Sequence, residues 1–147
     1  MIRINTINLL LGIFLQVVVA ATALAGEAKS GYDYIKPASR AMQDDEFENP
    51  GMIAVERGKG LFNNVQDGAD RACAECHGKD GARLNTKNIA RYPVYSEEAG
   101  EIVTLQKRIS RCREGNNGNK PLPTDHSQLV DLEAFVRNRA LGEPVNV

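Results

Sequence analysis

The chain has 147 residues and a formal net charge of −1, with 18 Lys and Arg against 19 Asp and Glu. That balance excludes a nucleic-acid binder, which needs a strongly basic face. With no Trp, 4 Phe and 4 Tyr, the side chains alone build only a small core.

Arg3 is the only charge before Glu27, the segment from Ile7 to Ala25 is mostly apolar, and Ala23-Leu24-Ala25 offers a small-x-small cleavage site. Residues 1–25 therefore read as a signal peptide for export. A membrane anchor is the weaker alternative, because Gly12, Gln16 and Thr22 interrupt a run already short for a span of about 20 residues. Cleavage leaves 122 residues, enough for one domain, and takes the net charge to −2 as Arg3 leaves. No stable membrane insertion is expected afterwards.

Residues 26–48 are polar, with Gly31, Pro37 and the cluster Asp44-Asp45-Glu46. They predict an N-terminal arm, extended or folded as a short helix, and the acidic cluster predicts a solvated face, not a metal site. Asn49-Pro50 then starts a helix, an N-cap residue followed by proline at the first helical position. Ile53, Leu61 and Phe62 are its candidate core contacts. Gly58 and Gly60 lower its propensity but allow another helix to pack closely.

Cys73-Ala74-Glu75-Cys76-His77 is the most informative stretch of the chain. Cys-x-x-Cys-His is the attachment signature of c-type haem. Two thiols three positions apart can form thioethers with the two vinyl groups of one porphyrin, and the following histidine is placed to bind iron. A thioredoxin-like pair would carry an aromatic residue and a proline nearby. A zinc site needs further ligands at matched spacing, and only Cys112 and His126 remain.

A helix follows from about Thr104 to Glu114, with Leu105, Ile109 and Cys112 on one face and Lys107, Arg108, Arg111 and Arg113 around it. The polar loop from Gly115 through Pro123 ends in Asp125 and Gln128, spaced as a capping box. The last helix runs from about Ser127 to Leu141, with Leu129, Leu132, Phe135 and Val136 as its buried stripe and Gly142 and Pro144 closing it. No stretch shows strand alternation. The expected fold is all-α, a class I cytochrome c-like domain of residues 49–142 with an N-terminal extended arm.

His77 fills one axial position of a haem, and the second is open to three readings. Met1, Met42 and Met52 all precede Cys73, so the His/Met pair of small electron carriers is not expected. His126 could complete a bis-histidine site, although a surface histidine beside a helix cap is its plainer reading. The sixth position could be vacant, as in a gas-binding haem. Cys112 is the odd cysteine of an exported chain; its shared face with Leu105 and Ile109 points it inward, and Arg111 and Arg113 favour the thiolate. A plain buried cysteine is the alternative.

Several blocks around the haem motif resemble the N-terminal half of the SoxA family. They are Ser30-Gly31-Tyr32-Asp33-Tyr34, Arg40-Ala41-Met42-Gln43-Asp44-Asp45, Asn49-Pro50-Gly51-Met52, Ala90-Arg91-Tyr92-Pro93 and Arg108-Ile109-Ser110-Arg111-Cys112-Arg113, in that order. SoxA is the cytochrome subunit of the periplasmic SoxAX complex. The resemblance implies one haem c held covalently by Cys73 and Cys76, with His77 and Cys112 as axial iron ligands. It implies the SoxX cytochrome as partner and the SoxYZ carrier, to whose cysteine thiosulfate is joined, the reaction of an L-cysteine S-thiosulfotransferase. Full-length members carry a second haem domain with the catalytic cysteine. Residues 143–147 look like the start of a linker to such a domain, and no second haem motif is present. A truncated product or separately encoded half is therefore expected, without the catalytic residue. The competing readings are a free-standing periplasmic electron carrier and a haem-based sensor. Arg83, Lys87 and Arg91 could meet haem propionates or substrate, but each is read first as a solvated surface charge.

Overall fold

The structure, a computed structural model, describes residues 31–118 and 120–144. The segment read as a signal peptide and the last three residues of the expected linker lie outside them. Chain contacts divide the molecule into two compact units, Met1–Arg40 and Ala41–Val147.

In the first unit, Gly31–Tyr34 forms one 3-10 turn. Arg40 lies over the ring of Tyr32, 5.0 Å from its centroid, and donates to the carbonyl of Asp33. Helix α1, Pro37–Asp44, whose last four residues belong to the second unit, begins at a proline whose missing N–H costs nothing there. The described part of the arm is thus helical, the short-helix alternative, and not extended.

The second unit holds the cytochrome-like core. After α1, the Asp45 carboxylate accepts from the N–H groups of Phe47 and Glu48 at 2.8 and 3.2 Å. Asp45 therefore shapes an exposed turn. The Asn49 side chain accepts from Gly51 N–H at 2.9 Å and leads into α2, Met52–Asn63. Val55, Gly58 and Phe62 form the buried face of α2. Ile53, expected in the core, is 63% exposed, because two residues of helical rotation carry it away from Val55.

Helix α2 packs chiefly on the C-terminal helix, here α6, Ser127–Asn138. The crossing is backbone-tight. A Cβ at Gly58 would stand 1.9 Å from the Asp131 carbonyl oxygen and 2.8 Å from the Phe135 Cβ. Only glycine fits, which is the close approach the sequence anticipates. Phe62 and Phe135 meet with ring centroids 5.1 Å apart, a pairing worth about 0.5–1.5 kcal/mol beyond its burial. Leu129 and Leu132 are fully buried, each contributing about 1.5–3 kcal/mol. Asp131, buried on the same helix, receives two bonds of 2.8 Å from Arg57.

The cap of α6 differs from expectation. His126, not Asp125, is the N-cap, its Nδ1 accepting from Gln128 N–H at 3.3 Å. The helix ends at Asn138, three residues early, and continues as turns.

Between the two packed helices lie α3, Cys73–His77, α4, Thr86–Ala90, and α5, Leu105–Asn117. Before α5 comes a hairpin that the sequence pattern does not show: β1, Val94–Ser96, pairs antiparallel with β2, Glu101–Val103, in the register Val94↔Val103 and Tyr95↔Ile102. Three residues per strand are too few to display alternation. Thr104 caps α5 by accepting from Lys107 N–H, and left-handed Gly118 ends it. Among the described residues no helix is long and apolar enough to cross a membrane.

Candidate haem site

The motif helix α3 is fixed at both ends by the chain around it. The Glu75 carboxylate accepts from Ala72 N–H at 2.9 Å, capping its start. After His77 the backbone turns sharply at Gly78, with φ 77 and ψ 153, a conformation closed to residues with a Cβ. The His77 carbonyl accepts from Arg83 N–H at 2.8 Å, and the Arg83 guanidinium donates to the Glu75 carbonyl at 2.8 Å. Asn63 and Asp80 exchange two hydrogen bonds of 2.8 and 2.9 Å, tying the end of α2 to the loop behind the motif.

This framework sets α3 at the wall of a cavity of about 250 Å³, near the lower end of the roughly 300–1,000 Å³ common for small-molecule sites. Cys73 and His77 line it from α3. Leu105, Ile109, Cys112 and Arg113 line it from α5, and Phe62, Leu132 and Val136 close it from the α2–α6 pair. The predicted inward face of α5 is therefore the face observed. Cys76 is exposed and does not line the cavity.

The donor chemistry suits an iron porphyrin. Among the described residues no three His, Cys, Asp or Glu side chains converge to hold a metal ion by themselves. A porphyrin brings four nitrogens of its own and asks the protein for two axial donors only. An imidazole and a thiol sulfur, from different helices, line this cleft. Burial, then the charges of Arg108 and Arg83, hold the His77 imidazole below its ordinary pKa. It is thus neutral, the form that binds metal. The Cys112 sulfur is half-buried and accepts from the Asn116 side chain at 3.7 Å.

The other sequence candidates fall elsewhere. His126 is absent from the cavity lining, and its Nδ1 is engaged at the α6 cap. Among the described residues no methionine lines the cavity. Arg83, Lys87 and Arg91 do not line it either; the cations that do are Arg108 and Arg113. Arg113 is buried at 5% exposure. Sequence reasoning placed Arg113 beside the thiol but missed its burial, since a charged residue one step past the apolar stripe reads as solvent-facing. Asn85 and Asn88 also line the cavity and were not anticipated. The Asn85 side chain accepts from Asn88 N–H at 3.0 Å to cap α4.

Two terminal helices crossing at a glycine, with Cys-x-x-Cys-His at the wall of the cleft beside them, define a c-type cytochrome domain. The family model of the SoxA/TsdA cytochrome c domain matches residues 57–145. The chain belongs to this family, which makes haem c its class of cofactor. It is 35% identical over 122 residues to the L-cysteine S-thiosulfotransferase subunit SoxA of Pseudaminobacter salicylatoxidans, a match covering 82% of this chain and 42% of that protein. It is also 35% identical over 82 residues to the thiosulfate dehydrogenase of Allochromatium vinosum, covering 50% of this chain and 30% of that protein. The crystal structure of SoxXA from P. pantotrophus shares the fold, with a TM-score of 0.64 at 21% identity over 80% of this chain and 44% of that one. The chain thus spans less than half the length of these relatives.

Proposed function

We propose that the chain is the haem-bearing domain of a SoxA-type subunit, holding one haem c through thioethers from Cys73 and Cys76, with His77 and Cys112 as axial ligands. The observation that carries this is the meeting of Cys73, His77 and Cys112 in one cleft of a chain that belongs to the SoxA/TsdA family. A haem bound there supplies a one-electron redox centre. The chain's residues do the rest. Phe62, Leu105, Leu132 and Val136 give the cleft an apolar wall, and the neutral imidazole of His77 is available to iron without first losing a proton.

The assembly follows the relatives: a SoxX-type cytochrome as partner, in the periplasm, acting on thiosulfate and a SoxYZ-type carrier. Joining thiosulfate to a carrier cysteine forms one S–S bond and releases the thiol proton and two electrons, which pass to a redox partner. We assign the bond-forming step to the part of the longer relatives that this chain does not match. The domain here serves scaffold and redox roles.

The purified protein is expected to keep haem through denaturing mass spectrometry and to be low-spin and six-coordinate when ferric. Cys112→Ala should change that spectrum and raise the reduction potential, because a thiolate donates charge that favours the ferric state. An unchanged spectrum would rule out Cys112 and make His126→Ala the next probe. The chain alone should not conjugate thiosulfate to the carrier, and turnover by it would refute the assignment of the chemistry elsewhere.

A further inference from the structure

The Cys112 sulfur has a hydrogen-bond donor of its own. The Asn116 side-chain nitrogen stands 3.7 Å from it, one helical turn further along α5, where residues at i and i+4 share a face. Cys112 is half-buried and lines the cleft, whereas Asn116 is exposed and does not line it. The amide therefore reaches the sulfur from outside the cleft and keeps a second N–H for water. Its influence on a group held in the cleft is one that the sulfur transmits.

The chemistry of sulfur gives this contact a direction. A thiolate carries no proton and only accepts, so an amide N–H suits it better than it suits a thiol, itself a weak donor. Hydrogen bonds to an ionised partner are also about twice as strong as neutral ones. Binding iron requires the thiolate, so the contact strengthens when Cys112 serves as a ligand; this step rests on the ligation proposed above. A donor on the sulfur draws electron density away from it. Sulfur that gives less charge to iron favours the ferric state less.

We propose that Asn116 is a positioning residue: its N–H···S bond orients the Cys112 sulfur and tempers the charge that the thiolate donates. It holds the reduction potential above the value that an unbonded thiolate would set.

The test is potentiometry with resonance Raman spectroscopy on the haem-loaded full chain. Asn116→Leu removes the donor at an exposed site where leucine also suits a helix. It should lower the ferrous-to-ferric ratio at a fixed solution potential by about threefold to tenfold, the part of a charged hydrogen bond that differs between the two oxidation states. A tenfold change is about 59 mV for one electron. The iron–sulfur stretch should rise in frequency, which a merely structural role for the amide would not produce. Asn116→Gln keeps an N–H and should stay nearer the wild type. In the Cys112→Ala background, Asn116→Leu should leave the potential where it is.

A shift that Asn116→Gln reproduces in full, or one of equal size in the Cys112→Ala background, overturns the proposal. If Cys112→Ala changes the ferric spectrum and Asn116→Leu moves nothing, the role of Asn116 falls and the ligand assignment stands. If Cys112→Ala leaves the spectrum unchanged, both fall.

Discussion

Asp131 and Arg113 are both buried charges in the second unit, and they are treated in opposite ways. At the α2–α6 crossing, Asp131 receives two hydrogen bonds from Arg57, while Gly58 and the Phe62–Phe135 pair close the space around it. In the cleft lined by α3 and α5, Arg113 keeps an Nε without a partner, and two potential iron donors face a cavity. The crossing is complete with protein atoms alone. The cleft is built for a group that the polypeptide does not supply. Phe62 and Leu132 belong to both regions, so a rigid crossing serves as one wall of the cleft.

Three changes would break or sharpen that contrast. Gly58→Ala should have the largest effect. The added Cβ meets a backbone carbonyl, not a flexible side chain, so the helices must separate. A loss of about 3 kcal/mol is expected, the upper end of ordinary overpacking costs. A shifted denaturant midpoint at unchanged slope would record it; a midpoint that stays put would mean that the helices slide apart freely.

Asp131→Asn tests the completed charge. The Arg57 hydrogen bonds, outweighing burial, hold the Asp131 carboxyl below its ordinary value of 3.8. A depressed native value means stability that is present above 3.8 and is lost as pH falls through the native pKa. The wild type should therefore weaken on the acid side, and the variant should show a flatter limb in that window. Parallel acid limbs for the two proteins would remove Asp131 from the account.

Glu101→Gln should do least. Glu101 pairs with Lys107 and Arg111, but all three are exposed or nearly so. Surface pairs of this kind contribute little and are screened by salt. Thermal midpoints of the two proteins should coincide at physiological ionic strength. A clear loss would mean that this cluster holds β2 on α5 more firmly than its exposure allows.

Much of the site was legible in the linear sequence because its signals are local. Cys73 and His77, which line the cleft, lie within five residues, and Leu105, Ile109 and Cys112 share a face by helical spacing alone. The α6 stripe of Leu129, Leu132, Phe135 and Val136 is likewise a matter of period. The misses are of another kind. Ile53 reads as core because it is apolar, but the direction that α2 turns inward is set by Gly58 on Asp131. The hairpin of Val94–Ser96 and Glu101–Val103 is too short for its pattern to rise above chance. His126 displaces Asp125 as the cap because the entry path of the chain decides which side chain reaches the Gln128 N–H.

By itself, then, the sequence determined the helical period and the family, and with the family haem c as the class of cofactor, since each depends on residue types at fixed short spacings. The tertiary structure decided which charges are buried. Arg113 comes to line the cleft, and Asp131 comes to face Arg57, only through contacts between segments distant in the chain. Burial is a property of the packed assembly, and no local spacing encodes it.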